Sequence, residues 1–250
     1  MYQDYTIAET YTLPSMGRIY ETPINPDIKL RSMTTAEEMR RLAHTEEPYK
    51  LMSDIIEACI IGTAPMRVYD MCLGDYQFLL HKLRVVTYGP EYKMLIRCPK
   101  CGKLSDTSCD LDKIEVKTYD PDTLTTEVRL PRTQKMVKIR YQTPRMLDKI
   151  AKRKKELLKK APNYPGDPEL AITLEHMIES VDGQHLDTTK METFVRNLPM
   201  MDTNVILKAA DKLNREVGLD DAVECTCSQC GAEVKTTFRF TSEFFGPSVD

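Results

Sequence analysis

The 250-residue sequence predicts an α+β fold, with strands and helices mixed and a helical insert held at its roots by a zinc-ribbon-like clamp of four cysteines. Three observations predict it. Two cysteine pairs, far apart in the chain, share one form: Cys98-Pro99-Lys100-Cys101-Gly102 and Cys227-Ser228-Gln229-Cys230-Gly231. Apolar and polar residues alternate on either side of those pairs, the period of a half-buried strand. Between Thr143 and Val217 the apolar spacing changes to the helical period. The expected organisation is therefore a core of residues 1–141 with 219–250, carrying the cysteine pairs, and a helical insert of residues 142–218.

In chain order, residues 5–30 read as extended, with Thr, Tyr and Ile interrupted by Pro14, Pro23 and Pro26. Thr35-Ala36-Glu37-Glu38 has capping-box spacing and starts a helix to about Leu42. A second helix starts near Pro48, with Leu51, Ile55, Ile56, Cys59 and Ile60 as its apolar stripe. A third covers about 73–87, where Tyr76, Leu79, Leu80, Leu83 and Val86 recur at helical spacing, and Gly89-Pro90 ends it. Tyr92, Met94 and Ile96 alternate with Lys93 and Arg97, a strand leading into the first cysteine pair. Val128 and Leu130, then Val137 and Ile139, mark a hairpin over 124–130 and 135–141 with Pro131 and Gln134 in its turn. Leu147, Ile150, Ala151, Leu158 and Ala161 set the next helix, and the loop Pro162–Pro168 breaks it. Helices follow near 168–180, 188–197 and 202–217, with Gly218 as a stop. The chain then returns to strands, Val223 to Cys227 before the second pair, and Val234, Thr236, Phe238 and Phe240 in period two after it.

Each C-x-x-C-G has the form of a zinc knuckle, and one zinc ion takes four thiolates in a tetrahedron. Cys98, Cys101, Cys227 and Cys230 are thus the candidate ligands of one structural Zn2+. A closed four-thiolate site leaves no open position for a substrate, which points to a staple rather than a catalytic metal. Two unrelated pairs, or a redox role, are the alternatives; neither pair sits at a strand-to-helix junction of a βαβ unit, which disfavours the redox reading. Of the remaining cysteines, Cys59 and Cys72 fall in apolar stretches and read as core, while Cys109 and Cys225 lie near the knuckles and could substitute as ligands.

No catalytic residues emerge. His44, His81, His176 and His185 form no H-E-x-x-H, and there is no G-x-S-x-G, phosphate-binding loop or G-x-G-x-x-G. Asp167, Glu169 and Glu175 offer carboxylates without a readable pairing, and His81 reads as a hydrogen-bonded structural residue on its helix. An apolar fraction of 41% allows a packed core, and a net charge of -3 implies no global affinity for nucleic acid or membrane. Met1-Tyr2-Gln3-Asp4 does not lead into an apolar run, and the apolar stretch Ile55–Ile61 is far shorter than a bilayer span, so a soluble intracellular chain is expected. Arg145–Lys160 holds eight Lys or Arg against Asp148 and Glu156. It reads as the solvated face of an amphipathic helix, with a nucleic-acid footprint or an acidic protein partner as alternatives. Phe244 and Phe245 follow the last strand and either fold back into the core or anchor a neighbouring subunit.

Several segments together resemble a known family. They are Tyr11-Thr12-Leu13-Pro14-Ser15-Met16-Gly17-Arg18-Ile19-Tyr20, the run Ile28–Glu38, Leu73-Gly74-Asp75-Tyr76-Gln77-Phe78-Leu79-Leu80, the stretch through Arg84, Tyr88-Gly89 and Tyr92 to the first knuckle, and Phe244-Phe245. In that order they are similar to the baseplate proteins of contractile-tailed, T-even-type bacteriophages, over about residues 10–246. The resemblance implies a non-enzymatic component of the tail baseplate hub or of hub assembly, bound to other baseplate and tail subunits. It implies a place in the virion tail, reached from the host cytoplasm during assembly. It brings no catalytic residues. The alternative function is a zinc-ribbon nucleic-acid-binding factor, suggested by the knuckles and the basic helix.

Overall fold

The computed structural model describes residues 7–122, 124–220, 222–237 and 242–245. A β-hairpin opens it, β1 (Ala8–Thr12) against β2 (Asp27–Arg31), with Tyr11 opposite Ile28. Helices α1 (Thr35–Arg41), α2 (Pro48–Cys59) and α3 (Leu73–Tyr88) follow. The cap of α1 is one residue earlier than expected: Thr34 is the N-cap and Glu37 closes the box. Thr34-x-x-Glu37 and Thr35-x-x-Glu38 fit the motif equally. Arg31 breaks the tie, because its guanidinium reaches Glu37 at 2.8 Å while the Glu37 carboxylate accepts the Thr34 N–H.

Helix α2 has no side-chain cap of its own at Glu47. The Asp148 carboxylate, from a helix far along the chain, accepts the N–H groups of Lys50 and Tyr49 at 2.9 and 3.4 Å instead. These are amides of the first turn, which have no partner within the helix. Helix α3 is apolar over most of its circumference, the mark of a central helix. Phe78, Leu79, Leu80, Leu83, Val85 and Val86 are buried, together with Asp75, His81 and Arg84. Around α3 forms the first core, with Leu13, Leu30, Ile55, Ile56 and Leu111. Phe244 and Phe245 belong to it, which settles their role: they fold back. The Phe244 carbonyl accepts the Arg84 Nε–H at 2.9 Å, and its ring meets Tyr92 edge-on at 5.5 Å.

Two further hairpins carry the cysteine pairs. The first is β3 (Glu91–Arg97) with β4 (Leu104–Asp110), the second β10 (Ala222–Thr226) with β11 (Glu233–Thr237). Phe238 and Phe240, expected to continue the last strand, lie outside the described residues. A short ladder, β5 (Val116–Lys117) with β9 (Gly218–Leu219), ties the chain together again where it leaves the helical region. There Gly74 of α3 and Gly218 lie backbone to backbone: a Cβ on Gly74 would stand 2.1 Å from the Val217 carbonyl oxygen.

The middle of the chain builds a second core. Strands β6 (Glu127–Arg129) and β7 (Met136–Ile139) pair as expected, Val128 opposite Val137. A third strand, β8 (Ile178–Val181), completes their sheet where helix was expected to run to residue 180. The helix before it, α5 (Glu169–Met177), ends as Ile178 turns into the sheet to bury its side chain beside Leu130, Val137 and Ile139. Helices α6 (Thr188–Arg196) and α7 (Met200–Arg215) cover this cluster through Met191, Val195, Ile206, Ala210 and Leu213. The hairpin before residue 142 thus packs with the helices after it. Asp202, fully buried, holds the hairpin turn by accepting the N–H groups of Arg132 and Thr133 at 2.8 and 2.9 Å.

Helix α4 (Pro144–Lys160) departs from its expected stripe. Met146 and Ile150 are its buried apolar residues, whereas Ala151 is exposed and Leu158 is among the exposed large apolar side chains. Its first half packs against α2 and α5, and its outer face is basic. No described helix is long and apolar enough to cross a membrane.

Candidate metal centre

The two C-x-x-C-G segments adopt the same backbone. In each, a strand ends one residue before the first cysteine, and the next begins six residues after that cysteine, at the position that pairs with the strand end: Arg97 pairs with Leu104, and Thr226 with Glu233. Cys98 N–H donates to the Lys103 carbonyl at 3.0 Å, and Cys227 N–H to the Ala232 carbonyl at 2.9 Å. Gly102 N–H returns to the Cys98 carbonyl and Gly231 N–H to the Cys227 carbonyl, each at 2.9 Å. Both glycines have positive φ, 72° and 67°, a conformation that side chains with a Cβ rarely adopt. This is why glycine follows each second cysteine: the tight turn it permits lifts both thiols of a pair to one side of the loop.

The two turns face each other. Ser228 N–H donates to the Ser105 hydroxyl at 2.8 Å, and Thr107 donates its hydroxyl hydrogen to the Thr226 carbonyl at 3.2 Å, so β4 and β10 run side by side. The sulfurs of Cys98, Cys101, Cys227 and Cys230 all lie within 4.8 Å of one another. Cys98 and Cys230 are 3.8 Å apart, Cys101 and Cys227 3.9 Å. A tetrahedron with Zn–S bonds of about 2.3 Å has edges of about 3.8 Å. A disulfide would need about 2.05 Å. The donor set and spacing fit a tetrahedral metal ion, and among the described residues this is the one group of metal-ligating side chains so arranged.

The electrostatics point the same way. Burial opposes ionisation of Cys227, but the Ser105 hydroxyl and the backbone N–H groups of Gln229 and Cys230 overcome it and hold the thiol down at about 6. Cys230 gains a hydrogen bond from the Ala232 backbone, yet burial and the three neighbouring thiols push it up to about 11. Four thiols this close cannot ionise together without a cation between them. The site is shielded on one side: Cys98 and Cys227 are buried with Cys225, Val234 and Ile96, Cys101 is half-buried and Cys230 is exposed.

The other cysteines stand apart. Cys225 donates to the Val234 carbonyl at 3.5 Å and packs behind the cluster, and Cys109 is pushed up to about 11 by burial and by Cys225 beside it. Neither joins the four-sulfur group. Cys59 is core as expected. Cys72 is buried too, and its sulfur also caps α3 by accepting the Asp75 N–H at 3.4 Å. His81 is buried but, contrary to expectation, neither of its ring nitrogens makes a hydrogen bond of ordinary geometry. Asp167 and Glu169 bind Lys154, and Glu175 binds Arg153, so those carboxylates serve as counter-ions.

A cleft of about 1010 Å³ opens between α2, α3 and α7, lined by Tyr49, Tyr76, Leu219 and Phe245 among others. Two ion pairs lie on its rim, Lys117 with Asp220 and Arg215 with Asp211, and Gln77, Gln142 and Asn214 add neutral polar groups to its lining. Sequence reasoning missed the Ser105–Ser228 contact between the two turns; both serines are ordinary strand and turn residues, and no local signal marks them.

The family model described as "T4 bacteriophage base plate protein" matches residues 6–246. No curated protein and no solved structure matches the chain.

Proposed function

The chain belongs to the T4 bacteriophage base plate protein family, and from that premise we propose that it is a structural or assembly component of the baseplate hub, binding neighbouring tail subunits, with its shape fixed by a structural zinc on Cys98, Cys101, Cys227 and Cys230. Family membership supports a structural component of the phage tail and implies other tail subunits as its partners. The observation that carries the zinc assignment is the pair of matched knuckles with sulfurs 3.8 and 3.9 Å apart across them. A zinc there would join hairpin β3–β4 to hairpin β10–β11, two segments far apart in sequence, and so close the chain around its middle region. Metal binding energy then becomes folding energy. The reading assigns the metal a structural rather than a catalytic role, because four protein thiolates leave it no position for a substrate.

A basic nucleic-acid-binding ribbon is the competing reading, and the ion pairs on α4 weigh against it, since Arg145, Arg153, Lys154 and Lys155 already have carboxylate partners. The test is affinity capture of the tagged chain from phage-infected cells, with and without nuclease, read by mass spectrometry. Recovery of other tail subunits that survives nuclease is expected. Recovery only of replication or transcription proteins, lost on nuclease treatment, would replace the baseplate reading with the nucleic-acid one.

A further inference from the structure

We propose that the outward face of α4 docks onto an acidic protein surface of a neighbouring tail subunit; the proposal rests on the baseplate reading above. Helix α4 carries eight cations, and the chain neutralises four of them. Arg145 pairs with Asp70, Arg153 with Glu175, Lys154 with Asp167 and Glu169, and Lys155 with Glu46. The other four, Lys149, Lys152, Lys159 and Lys160, are exposed and make no ion pair with a described residue. At 3.6 residues per turn these four fall within an arc of about 100°, and at 1.5 Å per residue they extend over about 16 Å of helix. Met146 and Ile150, the residues that seat the helix, lie on another face. Four like charges in one row repel each other; Glu156 within the row, Asp70 near Lys149 and Glu46 near Lys152 offset that repulsion only in part, and an external row of carboxylates would relieve the rest.

The pattern fits a protein better than a nucleic acid. Glu156, also exposed, sits in the middle of the row. A continuous line of phosphates would meet repulsion there, while a protein surface can set a cation opposite it. The face has no aromatic side chain on which a base could stack and no unpaired arginine. The chain as a whole is negative, at -3, which gives no long-range attraction to a polyanion. An acidic protein patch needs only the local field, which acts within about a Debye length, roughly 8–10 Å.

The experiment uses complexes captured on the tagged chain from infected cells and treated with nuclease. Their lysines are acetylated with a soluble ester and compared with the isolated folded chain, and a parallel sample is treated with a zero-length carbodiimide. The expected result is that Lys149, Lys152, Lys159 and Lys160 react about fivefold more slowly in the complex and form cross-links to Asp or Glu of another tail subunit, since buried rim charges lose solvent access on docking. The variant combining Lys149→Glu, Lys152→Glu, Lys159→Glu and Lys160→Glu, which alters only exposed side chains, should recover that subunit about tenfold less well. Equal reactivity of the four lysines in the complex and in the isolated chain overturns the proposal, as does protection that appears only without nuclease. Complexes containing no other tail subunit would refute the baseplate reading itself, and the docking proposal with it.

Discussion

Arg84 should be the most costly single side chain to remove from the first core. It is fully buried on the central helix, and no described carboxylate neutralises it. Its guanidinium donates instead to three backbone carbonyls: Phe244 and Gly89 at 2.9 Å each, and Glu91 at 3.4 Å. The Tyr88 ring lies 4.8 Å from its centre. Burial pulls this guanidinium below its ordinary range, so the charge is retained at a cost that those contacts offset. Arg84→Leu removes the desolvation cost but leaves three carbonyls without a donor. Charge-assisted hydrogen bonds contribute about 1.5–3 kcal/mol each, and breaking a buried charged network by removing one partner typically costs about 3–5 kcal/mol in total. The third bond, at 3.4 Å, is long, which places the expectation towards the lower half of that range. Urea unfolding followed by tyrosine fluorescence measures it. We expect about 3–4 kcal/mol of lost stability, and increased proteolysis near Phe244 as the C-terminal turn loses its anchor. Arg84→Lys should restore little, because one ammonium cannot span three divergent carbonyls. A loss below about 1 kcal/mol for Arg84→Leu would show that the network does not hold the turn, and the argument would be wrong.

Two further outcomes follow from buried groups. Burial first, then the neighbouring cations Lys82 and Arg84, lowers His81 to about 4 against the opposing pull of Asp112 and the Leu111 backbone. Its folded-state affinity for a proton is below the unfolded one, so the unfolded chain takes up the proton first as pH falls. The stability this group confers is complete above about pH 6.5 and is lost between there and about pH 4; at pH 5 the loss is about 2 kcal/mol. His81→Leu should remove that component, so denaturant midpoints at pH 7.5 and pH 5 should lie closer together in the variant; an unchanged gap would show that His81 does not titrate on unfolding. Gly74→Ala should destabilise by about 2 kcal/mol or more, because the new methyl meets backbone at Val217 and Gly218 rather than a movable side chain. A thermal melt unchanged by this substitution would mean that α3 and β9 are not in close contact.

Most of the fold was legible wherever one period ran unbroken. The α3 stripe, the strand Glu91–Arg97 and the hairpin around Val128 and Val137 follow from alternation or helical spacing, and the structure places them there. Strand β8 was hidden because Ile178-Glu179-Ser180-Val181 is four residues long and directly continues a helix. Only pairing with β7, a contact between distant segments, makes it a strand. The α4 stripe was misread because Leu158 and Ala151 are apolar letters on a face that no described residue covers. Burial of Asp75, Arg84, Asp148 and Asp202 is equally illegible, since charged residues are buried only when distant backbone groups satisfy them. The cysteine cluster was the opposite case. Its geometry is encoded locally twice over, in C-x-x-C-G, and tertiary structure had only to bring the two turns face to face.

The four-thiolate clamp would join hairpins from distant parts of the chain, so its metal is the feature to measure first. The decisive measurement is the metal content of the purified chain by inductively coupled plasma mass spectrometry, made alongside the melting temperature of the native chain and of Cys98→Ser. About one zinc per chain, lost in Cys98→Ser together with a clear fall in melting temperature, is the predicted result. A chain that folds without metal, with Cys98→Ser melting at the same temperature as the native protein, would contradict the clamp.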